Sequence, residues 1–93
     1  MENKITRQKL EKYFELTSSA LKMGKENIAN EKENEAQVII EMVSNYLSDA
    51  KHFYNSGDFV NSFAALNYSH GWLDAGARLG IFDVKDNKLF TIK

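Results

Sequence analysis

The chain has 93 residues, 43% of them hydrophobic and 27% charged, with a formal net charge of −1. That suffices for a single domain with one modest core, and it creates no global field to attract nucleic acid or an anionic membrane. The lack of cysteine excludes disulfides and thiolate metal sites and favours a cytoplasmic setting.

No apolar run approaches the roughly 18–20 residues of a membrane span, and none follows Met1 to Arg7 as a signal peptide would require. Proline is absent, which favours uninterrupted helices. Residues 1–35 carry seven Lys/Arg and seven Glu, whereas residues 36–80 carry only Glu41, Asp49, Lys51, Asp58, Asp74 and Arg78. Seven of the eleven aromatics lie between Tyr46 and Trp72. The middle of the chain therefore reads as the core and the first third as a solvated cover.

The first predicted helix covers residues 5–28. Leu10, Phe14, Thr17, Leu21, Gly24 and Ile28 step by three and four along one face, and Tyr13, Leu16, Ala20 and Met23 widen that stripe. The polar run at residues 25–35 holds a turn, with Asn34–Gln37 and Asn30–Glu33 as two candidate capping boxes. The second helix covers residues 35–56. Ile39, Val43, Tyr46, Ala50 and Phe53 form one stripe, and Ala36, Ile40, Leu47 and Tyr54 form its neighbour. Gly57 can adopt the left-handed conformation that closes a helix, and Asp58 can cap the next one. This step predicts an antiparallel pairing of helices 2 and 3.

The third helix covers residues 59–79 and is apolar nearly all round. Phe59, Val60, Phe63, Leu66, Leu73 and Ala77 share one face, and Ala64, Tyr68, Trp72, Ala75 and Leu79 a second. The remaining arc of Ser62, Ala65, Ser69, Gly76 and Gly80 is small enough to admit another backbone. Gly80 stops the helix. The tail, residues 81–93, is apolar at both ends with a polar turn at Asp86-Asn87, a pattern compatible with a short β-hairpin packed on the bundle. The fold class is thus all-α: a single-domain three-helix bundle with a helix 2–helix 3 hairpin and a short tail.

Asn67, His70, Asp74 and Arg78 recur at helical spacing within this apolar helix, and the antiparallel pairing brings Tyr46 and Asp49 towards Asn67 and His70. These six form the candidate polar cluster. It reads first as a satisfied network that sets helix register. The functional alternative is a pocket in which a His–Asp pair acts as general base. No Ser or Cys is poised beside the His, so no catalytic residue is assigned. Asp49-x-x-His52 and His70-x-x-x-Asp74 have ligand-compatible spacing, but His52 and His70 fall on different turns. No metal site and no cofactor are expected. The aromatics are not interleaved with Lys or Arg, which argues against a nucleic-acid groove.

Tyr46-x-x-Asp49-Ala50-x-x-Phe53-x-x-x-Gly57-Asp58-x-x-x-Ser62-Phe63-Ala64, followed by residues 67–80 with Gly71-Trp72-Leu73-Asp74-Ala75-Gly76, Arg78 and Gly80, resembles the archaeal domain-of-unknown-function family numbered 357. The resemblance covers residues 39–82 and implies a short all-helical archaeal protein without implying an activity. Ala50-x-x-Phe53-x-x-x-Gly57-Asp58 is also similar to the helical domains that accompany minimal nucleotidyltransferases, some of them RNases. Those RNases carry an Arg followed shortly by a His, a pattern that neither Arg7 nor Arg78 matches.

The leading expectation is a non-enzymatic, self-associating interaction module. It forms a homo-oligomer, a dimer first, through the small-residue arc or the Tyr68 and Trp72 face. The alternative is a nucleotide- or RNA-processing accessory protein with a polar pocket on helix 3.

Overall fold

A computed structural model describes residues 4–90. Residues 1–3, where the chain was read for a leader, and residues 91–93, the end of the expected hairpin, lie outside the described residues. Three helices follow one another: α1 Arg7–Glu26, α2 Glu33–Asn55 and α3 Phe59–Arg78. All six ends fall within two residues of the periodicity reading. No helix among the described residues is long and apolar enough to cross a membrane.

α1 starts behind Thr6, whose hydroxyl accepts the Lys9 N–H at 3.1 Å. It buries Leu10, Thr17, Ala20, Leu21 and Gly24, the predicted stripe. α2 begins at Glu33 behind Lys32, which makes no side-chain cap. Neither expected capping box forms, because Asn34 already lies inside the first turn and Asn30 precedes the cap. Glu33 and Glu35 instead set negative charge against the amino end of the helix dipole.

α2 closes as foreseen. Gly57 has φ +81°, the Asp58 N–H donates to the Phe53 carbonyl at 2.8 Å, and the Gly57 N–H donates to the Tyr54 carbonyl at 3.1 Å. This paired closure satisfies carbonyls that a helix end otherwise leaves open. The Asp58 carboxylate then accepts the Asn61 N–H at 3.1 Å and caps α3. The result is the antiparallel hairpin, and α2 and α3 form the most extensive contact between elements. α1 packs chiefly on α3 and least on α2.

The small-residue arc of α3 is what lets α2 approach. Ser62 and Ser69 are fully buried. Their hydroxyls donate across the interface to the Ala50 carbonyl at 2.8 Å and the Val43 carbonyl at 3.4 Å. The backbone admitted by Ser62, Ala65 and Ser69 is therefore that of α2 in the same chain, which corrects the expectation that this arc meets a second copy.

The tail is corrected as well. No strand forms among the described residues. A single antiparallel bridge joins Ile28 and Phe82, with the Asp83 N–H donating to the Asn27 carbonyl at 2.7 Å and the Ala29 N–H to the Ile81 carbonyl at 2.9 Å. Beyond it, the Asp86 carboxylate accepts the Lys88 N–H at 2.8 Å and holds a turn. Phe82 and Phe90 are 1% and 2% exposed. They enter the core cluster of Ala20, Leu21, Ala36, Ile39, Val43 and Leu73. Burying two aromatic side chains is worth several kcal/mol in this area bookkeeping, more than the hydrogen bonds of an isolated hairpin would add. Phe82 lies between Gly24 and Gly76. A Cβ at Gly76 would stand 2.6 Å from its ring, and one at Gly24 would stand 3.4 Å away.

The other end of the bundle holds a second cluster of Leu10, Ala50, Ala65 and Leu66. It is rimmed by aromatic contacts, Tyr13 edge-on to Phe63 at 5.1 Å and Phe14 edge-on to Tyr54 at 5.8 Å. The Arg7 guanidinium lies 5.0 Å above the Tyr54 ring.

Candidate functional site

The six predicted cluster residues divide between two sides of α3. At about 100° per residue, Tyr68 and His70 point in nearly opposite directions. α2 lies nearer the Tyr68 side, so the Tyr46 ring packs edge-on against Tyr68 at 4.6 Å. Tyr46 and Asp49 line a groove there with Phe53, Asn61, Ala64 and Tyr68. His70 and Asp74 face α1, while Asn67 and Arg78 are exposed beside them.

The partner that α1 supplies to His70 is Thr17. Its hydroxyl lies 3.1 Å from His70 Nδ1, and His70 Nε2 lies 3.7 Å from Asp74 Oδ1, one turn further along α3. Hydroxyl, imidazole and carboxylate thus stand in a row, an order shared with nucleophilic triads. Accessibility separates the two cases. Thr17 is 1% exposed, far less open than the nucleophile of such a triad, which must meet its substrate. The backbone N–H groups around it belong to the interiors of α1 and α3 and are committed to helix bonds, so none is free to stabilise an oxyanion. Every buried side-chain N or O among the described residues has a hydrogen-bond partner.

Thr17 was legible only as a member of the α1 stripe. The signal that could have marked it as a partner was its polarity amid Leu10, Phe14 and Leu21. A hollow of about 290 Å³ opens beside the row, lined by Tyr13, Leu16, Thr17, Leu66, Asn67, His70, Gly71 and Asp74. No cluster of three or more His, Cys, Asp or Glu able to hold a metal occurs among the described residues.

The remaining side of α3 faces solvent. Val60 is 69% exposed, Tyr68 52%, and Leu79, just past the helix, 72%. Ala64, Gly71 and Ala75 are exposed between them, and Arg78 is the one charged residue exposed on α3. The outer side of α1 is the opposite: Arg7, Lys9, Glu11, Lys12, Glu15, Lys22, Lys25 and Glu26 are all exposed.

The residues matching the family described as "Protein of unknown function (DUF357)" run from 12 to 82. They span most of α1, all of α2 and α3, and Phe82, and the chain belongs to that family. No curated protein and no solved structure matches it.

Proposed function

We propose that this protein is a non-enzymatic helical interaction module that acts through the exposed side of α3 and associates with itself. The observation that carries this reading is the character of that side. A helix side facing water normally carries charged residues, as α1 does. α3 instead presents Val60, Ala64, Tyr68, Gly71, Ala75 and, just past its end, Leu79, edged by the neutral Asn61 and Asn67 and by Arg78. Large apolar groups exposed together mark contact surfaces, and tyrosine is among the residues enriched at them. The cytoplasm is the compartment that suits a chain without cysteine. Sedimentation equilibrium across a wide concentration range tests the reading: the apparent mass should rise towards twice the chain mass. A constant monomer mass at every concentration contradicts it.

A second reading rests on the hollow beside His70, where Asn67 and Asp74 supply polar edges and Tyr13 a ring. Its volume lies at the small end of ligand sites. It would make the protein a nucleotide- or RNA-processing accessory. Titrating the chain with nucleotides and short RNAs while following Tyr and Trp fluorescence distinguishes the two. Saturable binding lost in His70→Ala favours this second reading.

A further inference from the structure

Building on the self-association reading, we infer that two copies pair antiparallel through the exposed side of α3, about a two-fold axis level with Ser69 and His70. A two-fold contact sets one patch against its own reversed image, so the patch must complement itself end for end. Along α3 it does. Val60 and Leu79 lie at equal distances from the midpoint, both bulky, apolar and mostly exposed. Ala64 and Ala75 lie at equal distances inside them, both small and exposed, so that two backbones can come close. Tyr68 and Gly71 flank the centre. A Cβ built at Gly71 would meet nothing within 4 Å, which makes it a gap for the partner's Tyr68 ring.

The charges select the same orientation. Arg78 is the one charged residue exposed on α3. Antiparallel pairing brings it level with the exposed, neutral Asn61 of the second copy and holds the two Arg78 side chains at opposite ends of the contact. Parallel pairing would place Arg78 against Arg78, a like-charge contact that disfavours association. Antiparallel helix dipoles act in the same direction.

The size of the patch sets the strength. A 20-residue helix is about 30 Å long and 10–12 Å wide. A face of that size belongs with interfaces below about 1,200 Å² in total, which are reversible. The dimer should therefore dissociate on dilution.

The absence of native cysteine makes the test site-specific. Val60→Cys and Leu79→Cys variants are mixed at dimer-forming concentration and treated with a short bis-maleimide. The expected product links position 60 of one copy to position 79 of the other. Neither variant alone should cross-link efficiently, since like positions lie about 28 Å apart in this pairing. Gly71→Glu, placed in open space, should retain the helical circular-dichroism spectrum and weaken dimerisation at least tenfold. If 60–60 links dominate, or if Gly71→Glu dimerises as well as the parent chain, this register is wrong and self-association uses another surface or orientation. A monomer at all concentrations overturns both this register and the reading beneath it.

Discussion

On one side of α3, Ser62, Ala65, Ser69 and Gly76 are buried against α2 and the tail; on another, Ala64, Gly71 and Ala75 stand in solvent. The two sets are built from the same small residue types, and both permit a close backbone approach. The first is already occupied. Ser62 and Ser69 tie α3 to carbonyls of α2, and Gly76 makes room for Phe82. The second is open among the described residues: a Cβ at Gly71 would meet nothing within 4 Å. Small residues on a helix state how close a neighbour can come, and only the surroundings decide whether that neighbour is present.

The largest expected effect comes from emptying the occupied side. Phe82→Ala removes a buried ring from its slot between Gly24 and Gly76, and should cost about 3–5 kcal/mol. Urea unfolding measures it, and a loss under about 1 kcal/mol would mean that the tail does not contribute to the core.

Next is Gly76→Ala. Its Cβ would lie 2.6 Å from a Phe82 ring carbon and 3.1 Å from Ile39 Cδ1. The overpacking should outweigh the gain in helix propensity and cost about 1–3 kcal/mol. His70→Ala should cost a similar amount, about 1–3 kcal/mol, by leaving the buried Thr17 hydroxyl without its partner. A His70→Ala chain with full stability but impaired binding of a nucleotide or RNA would transfer the row from structure to function. Ser62→Ala deletes one buried hydrogen bond and should cost about 0.5–1.5 kcal/mol.

The smallest effect has the opposite sign and sharpens the contrast most. Gly71→Ala adds a methyl group in open space, so only helix propensity acts, and stability should rise by up to about 1 kcal/mol. Thermal unfolding at concentrations where the chain is monomeric should show a gain of a few degrees. The same substitution at Gly76 and Gly71 should therefore shift the midpoint in opposite directions. A shift of the same sign at both sites would abolish the distinction between the two sides.

The helices were readable because their determinants are local. The stripe through Leu10, Thr17 and Leu21, the glycine closure at Gly57 and the cap at Asp58 each depend on residues within a turn or two. The start of α2 was misread because Asn30, Asn34, Glu33 and Gln37 offer two competing caps and the chain uses neither. The candidate cluster was half legible. The spacing of Asn67, His70 and Asp74 placed them together on α3, but spacing within one helix does not say which neighbour lies opposite. Tyr46 and Asp49 were assigned to His70, whereas Thr17 of α1 is its partner.

The sequence alone determined the all-α class, the lengths of the three helices and the antiparallel turn, because periodicity and capping act over a few residues. It also determined the charge contrast between α1 and α3. The tertiary structure decided which stripe of α3 is filled and which is open. It sealed Thr17 at 1% exposure and made the tail a core element rather than a hairpin. Those outcomes depend on competition for apolar surface among segments far apart in the chain. Phe82 and Phe90 gain more from burial in the core of the bundle than a hairpin's own hydrogen bonds would supply, and no local pattern records that comparison.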